Sequence, residues 1–143
     1  MDADLEQQIR AFAMGRIGLG AAALIAPKAV LRRWLGRGSD TPVTRVLARF
    51  VGGRDVALGL GTLFALRHGS PVRGWIEAGM VADAGDLVGT LLGAKHLPRV
   101  AALGTAVAAA GGVAYARRLV NQLEQHAEPP GTPPDALQLE PVP

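Results

Sequence analysis

Apolar positions along the chain gather into four stretches, residues 11–27, 50–66, 74–94 and 100–116, each bounded on both sides by basic residues. Only six charged residues fall inside these 72 positions, against 21 in the other 71. A helix rises about 1.5 Å per residue and a bilayer core is about 30 Å thick, so a spanning helix needs about 20 mostly apolar residues, with about 17 as the lower bound. Three of the stretches have 17 residues and the third in order has 21, so the pattern predicts four membrane-spanning helices. Val100 to Ala116 carries no charge at all. The first stretch holds Arg16, the second Arg54 and Asp55, and the third Glu77, Asp83 and Asp86. A charge near a helix centre costs about 2.5–3.5 kcal/mol on insertion, while a large aliphatic residue returns about 0.3–0.6. The second and third stretches therefore need partners inside the membrane.

Proline interrupts none of the stretches: Pro27 closes the first, Pro42, Pro71 and Pro98 lie between them, and the other six lie beyond residue 128. Thr41-Pro42 and Ser70-Pro71 have the form of an N-cap followed by a first-turn proline, whose missing N–H costs nothing there. Helices are expected at about 10–27, 42–67, 71–94 and 98–123. The resulting fold is all-α: an up-down four-helix transmembrane bundle preceded by a polar N-terminus, 1–9. After the first span, Lys28 to Arg37 sets Val30, Leu31, Trp34 and Leu35 at helical spacing against Arg32, Arg33 and Arg37. That is an interfacial amphipathic helix, with Trp34 at headgroup level and Arg32 and Arg33 toward lipid phosphate; a capped helix end followed by a basic loop fits the same residues. Trp75, just inside the third span, is a second interfacial anchor. From Glu124 the chain turns Pro-rich and acidic, which predicts a disordered tail over 124–143.

Each span also carries small residues four apart, the spacing that lets helix backbones approach closely where lipid removes the hydrophobic drive between helices. Gly18 begins the row on the first span, Gly53 and Gly61 lie on the second, Gly85, Gly89 and Gly93 on the third, and Gly104 and Gly112 on the fourth. These rows are the expected packing faces.

Composition narrows the chemistry. Cysteine is absent, which removes disulfides, thiolate metal sites and cysteine nucleophiles. Six aromatic residues and a net charge of +3 do not form the basic, aromatic-interleaved stripe of a nucleic-acid-binding surface. His68, His96 and His126 fall outside the spans without ligand-type spacing, so no metal is expected, and no motif implies a cofactor. Thr62, Thr90 and Thr105 have no His, Ser or Cys beside them, so no nucleophile with an adjacent base can be assembled. The acidic start, with Asp2, Asp4 and Glu6 against one arginine, is unlike a secretory leader, so the first span is expected to be retained.

Depth in an up-down bundle then pairs the interior charges. Arg16 and Glu77 lie a few residues below the same face and are expected to meet. Arg49, Arg54 and Asp55 enter from the opposite face, toward Asp83 and Asp86. Those two acids are three apart and share a helical face with Gly79 and Thr90. Two carboxylates held close in an apolar interior do not readily both ionise unless an arginine lies between them. Intramembrane ionisable residues point by default to a proton path, an ion or a polar substrate, and salt bridges that fix helix register are the plain alternative.

The run RFVGGRDVALGLGTL, containing Arg49, Gly52, Arg54, Asp55, Leu58 and Gly59, followed by VADAGDLVGTL with Asp83, Asp86 and Leu87, resembles small four-helix bacterial integral membrane proteins of unknown function, distantly similar to DoxX-like proteins. The resemblance covers roughly residues 10–118 and implies a membrane location and a four-helix fold, with no substrate attached. The leading expectation is a non-enzymatic, multi-pass protein of the cell membrane that contacts the lipid bilayer and assembles with itself or a larger membrane complex. A small proton-coupled transporter or polar-ligand carrier using Asp83 and Asp86 is the first alternative, and a soluble helical bundle the second. Seven basic residues flank one face, Lys28, Arg32, Arg33, Arg37, Arg45, Lys95 and Arg99, against five on the other, which places that first face in the cytoplasm.

Overall fold

Asp2 starts the first helix. Its carboxylate accepts the Leu5 N–H at 2.8 Å, and Asp4 and Glu6 add negative charge to a first turn where the helix dipole favours it. In the computed structural model, which describes residues 1–126, helix α1 accordingly runs Ala3–Ile25. Residues 1–9 are thus not a polar lead-in: Leu5 and Ile9 are 2% and 0% exposed, packed in one cluster with Ala65, Val72, Ile76, Ala116, Leu119 and Val120.

Pro27 begins α2, Pro27–Leu35, which bends 107° away from α1 and closes on Gly36, whose φ of 90° a side chain would strain. Pro27 and Leu31 face inward while Lys28, Arg32 and Arg33 face out, the amphipathic arrangement expected of these residues. Helix α3, Pro42–Arg67, starts where Thr41 and Thr44 form a reciprocal capping box with Pro42 in the first turn. Helix α4, Arg73–Gly93, starts later than Ser70-Pro71 suggests. The Ser70 N–H turns back to the Ala65 carbonyl at 2.9 Å, so Ser70 finishes α3's exit and Val72 caps α4. A 3₁₀ turn, Ala94–His96, leads into α5, Arg99–His126. That helix carries through Glu124 to His126, residues expected in the tail; the remainder of the tail, residues 127–143, lies outside the described residues.

The described residues are therefore all-α, with five helices and no strand. The four long helices alternate in direction, and α2 lies across one end of the bundle. Helix α1 packs along α3, and α4 along α5. The α1–α3 seam is built from glycines: a Cβ on Gly20 would stand 2.5 Å from the Gly52 carbonyl oxygen, and one on Gly59 would stand 2.7 Å from that of Ala13. The two pairs meet more loosely. Helices α1 and α5 join chiefly toward one end, where the Phe12 and Tyr115 rings lie 5.3 Å apart and Asp2 meets His126 at 2.9 Å.

The packing faces differ from those the small-residue rows suggest. Among the described residues no other part of the structure comes within 4 Å of where a Cβ would stand on Gly18, Gly53, Gly85, Gly89, Gly93 or Gly104. Gly61 lies under the Trp75 ring and Gly112 against the Asp83 carboxyl. Rows four apart recur on several faces of a Gly/Ala-rich helix, and spacing alone does not choose among them. Taken singly, α5 is the one described helix long and apolar enough to cross a membrane; α1 and α2 pass together only as a bent pair. Helices α3 and α4 carry their charges at mid-helix, so four self-sufficient spans are not what the structure provides.

Candidate functional site

Helix α4 turns one narrow face inward, on which Ile76, Gly79 and Thr90 are buried and which also carries Asp83 and Asp86. Arg54 and Asp55 sit midway along α3, and Arg16 sits past the middle of α1, with a side chain only 9% exposed. Where the three helices converge these five residues form a single ion network. Arg16 donates through Nη1 to Asp55 Oδ1 at 3.1 Å, and through Nη2 to the Gly79 carbonyl at 3.1 Å and to Asp83 Oδ2. Arg54 grips Asp86 with both ends of its guanidinium, Nη1 to Oδ1 at 3.0 Å and Nη2 to Oδ2 at 2.7 Å, the bidentate geometry that makes such pairs strong. It also donates to Asp55 Oδ1, through Nη2 at 3.2 Å and Nε at 3.3 Å. Asp55 is thus shared between the two arginines.

Two glycines make the convergence possible. A Cβ on Gly79 would lie 3.2 Å from Arg16 Cζ, so its absence lets the guanidinium reach the α4 backbone. Gly112 similarly leaves room on α5 for the Asp83 carboxyl. Phe12, one turn before Arg16, places its ring centroid 5.2 Å from Arg16 Cζ, within cation–π range.

The expected pairing of Arg16 with Glu77 does not form. Glu77 lies off the inward α4 face and accepts Arg73 Nε at 2.7 Å. Depth placed the two residues at one level, but the direction around the helix axis separates them. Arg49 is likewise outside the network: it is exposed, and its Nε donates to the Leu24 carbonyl at 3.3 Å beside the α1–α2 bend. Arg54, Asp55, Asp83 and Asp86 do come together. Arg16 was the member that sequence reasoning assigned elsewhere; the available signal was Gly79, one turn before Asp83 on the same α4 face, where the missing side chain leaves room for the guanidinium.

A cleft of about 520 Å³ opens beside the network, between α1 and α5. Phe12, Leu19, Ala23 and Ala109 give it apolar walls, Arg16, Asp55, Asp83 and Asp86 its charged side, and Trp34 of α2 one end. Trp34 is fixed there by its Nε1–H, which donates to Thr105 Oγ1 at 2.7 Å. The network holds two guanidiniums and three carboxylates, one negative charge in excess, and Arg16 Nε is buried with no hydrogen-bond partner. Such a site can take up a proton or hold a polar group. Nucleophilic chemistry has no starting point among the threonines: Thr62, Thr90 and Thr105 each donate to a carbonyl one turn back, at 2.7–2.9 Å. Among the described residues no group of three or more His, Cys, Asp or Glu side chains could hold a metal ion. Comparison with family models, curated proteins and solved structures found no match.

Proposed function

We propose that this chain is a multi-pass cell-membrane protein whose helices are held together by the Arg16–Asp55–Arg54–Asp86–Asp83 network, and that it works as a non-enzymatic subunit of a membrane assembly. The carrying observation is the inversion of polarity across the bundle. Five of the six charges within the apolar stretches turn into the network, while Phe50, Phe64, Val81, Leu92 and Val107, all more than 60% exposed, cover the outer faces of α3, α4 and α5. Water-soluble monomers rarely expose apolar surface on this scale, and lipid removes its cost. Helix α5 supports the reading further: only 11% of its most apolar stretch is buried in the chain, whereas the central helix of a soluble bundle is mostly buried.

The assembly role rests on the outer face of α4, where Gly85 and Gly89 expose bare backbone between Val81, Val88 and Leu92. A second copy or another membrane helix can approach closely there. Alkaline carbonate extraction of membranes from expressing cells, followed by purification in mild detergent, tests both parts. The chain should stay in the pellet and purify as an oligomer or with a stoichiometric partner. Release by carbonate with detergent-free solubility would instead make it a soluble bundle, and a detergent-stable monomer would remove the assembly role.

A second reading, a proton-coupled or polar-ligand carrier, is favoured specifically by the cleft and by the excess of one carboxylate over the two guanidiniums beside it. In that case Asp83→Asn keeps the fold and abolishes transport.

A further inference from the structure

The outward face of α2 and the start of α3 build a second, unrelated site. Lys28 and Arg32 lie one turn apart on α2, Arg45 and Arg49 one turn apart on α3, and all four line a single pocket of about 450 Å³. Like charges one turn apart destabilise a helix, so two such pairs facing one pocket call for an anion. The protein supplies one: the Asp40 carboxylate, 6% exposed, accepts Arg45 Nε and lies 3.3 Å from Arg32 Nε. The Arg45 hydrogen bond, with the charges of Arg45, Arg32 and Lys28 behind it, holds Asp40 below its ordinary range, so it stays ionised and is already engaged. Among the described residues three positive charges remain unmatched. Lys28 and Arg49 have no carboxylate partner among the described residues, and Arg49 is held at the pocket by its bond to the Leu24 carbonyl.

The surroundings identify the anion's other half. Ile25, 82% exposed, forms part of the pocket wall, at the point where α2 turns 107° from α1 to lie across the bundle end. The basic cluster therefore sits directly beside apolar surface. We propose that this pocket binds the headgroup phosphate of an anionic phospholipid, with an acyl chain running over Ile25. The assignment rests on the membrane reading above. A free soluble phosphate would use the cations and leave the apolar wall without a role.

The test uses the full chain in mild detergent, with native mass spectrometry after titration with phosphatidylglycerol or phosphatidylcholine. Wild type should retain phosphatidylglycerol preferentially. A basic residue near an anionic lipid surface contributes about fivefold in affinity, so Lys28→Gln, which breaks no bond among the described residues, should weaken retention about fivefold, and Lys28→Gln with Arg49→Gln about 25-fold. Arg49→Lys should restore most of the second step, which separates charge from folding. Arg117→Gln with Arg118→Gln, at the far end of the bundle, should change nothing. Equal retention of the two lipids, equal loss in the Arg117 and Arg118 control, or displacement by millimolar inorganic phosphate alone would each overturn the site. Loss of carbonate resistance in wild type would overturn the membrane reading and the site with it, whereas carbonate resistance without lipid preference overturns the site alone.

Discussion

Arg16→Met should be the most damaging single change in the network. Methionine fills a similar volume without charge, so the effect isolates the guanidinium. Asp55 would keep Arg54 at 3.2 Å, but Asp83 has no other ion-pair partner among the described residues and would be left as a 14%-exposed carboxylate against the α5 backbone at Gly112. Breaking a buried ion pair from one side costs about 3–5 kcal/mol, a large part of the about 5–15 kcal/mol that holds a typical domain together. At this chain length that lowers the unfolding midpoint by about 10–15 °C. Asp83→Asn alone is milder, because an amide oxygen still accepts from Arg16, and in the double variant no orphan charge remains, so much of the loss should return and the amide left without Arg16 should cost about 1–3 kcal/mol. Arg54→Met should cost less than Arg16→Met even though two carboxylates lose it, since Arg54 is 32% and Asp86 36% exposed and water can replace part of the interaction. Thermal unfolding followed by circular dichroism in mild detergent gives the four midpoints. An Arg16→Met midpoint within 2 °C of wild type, or a double variant no better than Arg16→Met, would refute the account.

Gly52→Ala, whose Cβ would stand 2.6 Å from the Gly20 carbonyl oxygen and 3.0 Å from the Ala23 Cβ, should destabilise by about 1–3 kcal/mol, while Gly53→Ala, with open space around it, should be neutral or stabilise by up to about 1 kcal/mol in the same assay. The contact between the chain's first and last described turns should depend on pH. His126 titrates above its ordinary 6.5, through its bond to the Gln122 carbonyl and then to Asp2, so its contribution is full below that value and lost as pH rises through the raised one; Asp2, lowered by the Leu5 N–H and then by His126, contributes above 3.8 and loses its effect in stronger acid. Amide exchange at Leu5 and Leu123 should therefore be slowest between those limits and quicken relative to intrinsic rates toward pH 8, and His126→Ala should flatten the alkaline side. In a translocon insertion assay residues 99–118 should insert alone and residues 73–94 should not, because Asp83 and Asp86 together cost about 5–7 kcal/mol; replacing both by Leu should rescue insertion.

Helix starts were legible wherever local chemistry was complete. Thr41, Pro42 and Thr44 specify their own turn, and Pro27 with Leu31 and the outward arginines specifies α2. The start of α1 was equally visible in Asp2 and its acidic first turn, but those acids were read only as unlike a secretory leader, and the helix was expected from about residue 10, where the apolar stretch begins. Both misjudged termini have one cause. Helices α1 and α5 run beyond their apolar stretches, and Leu5, Ile9, Leu119 and Val120 bury each other in that extension, where the pattern is amphipathic and no longer uniformly apolar. Four of the network's five members, Arg54, Asp55, Asp83 and Asp86, were legible together, whereas Arg49 was expected among them and is not there, and Arg16 was assigned to Glu77. The Arg54–Asp86 contact follows from depth because both residues lie on inward faces, and Arg16–Glu77 fails because Glu77 does not. The α1–α3 seam was not legible, since Gly20, Gly52 and Gly59 differ from their neighbours Gly18 and Gly53 only in azimuth, which the partner helix decides.

The distribution of charge among the helices separates the two readings of the network. Helix α5 is apolar enough to need no help and contributes no ion pair to the network; α1, α3 and α4 each carry mid-helix charge, and each contributes. Compensation for insertion would thus account for the network's position. It does not account for its composition. Two arginines are already matched by Asp55, shared between them, and by Asp86, which takes Arg54 bidentately. Asp83 is the third acid, and an asparagine there would still accept from Arg16 without bringing an uncompensated charge into the interior. A purely structural network gains nothing from that excess, and it lies on the side lined by the cleft. Asp83→Asn therefore divides the cases: unchanged or higher stability with full cellular function assigns the whole network to helix assembly, and unchanged stability with lost function assigns Asp83 to a proton or a bound polar group.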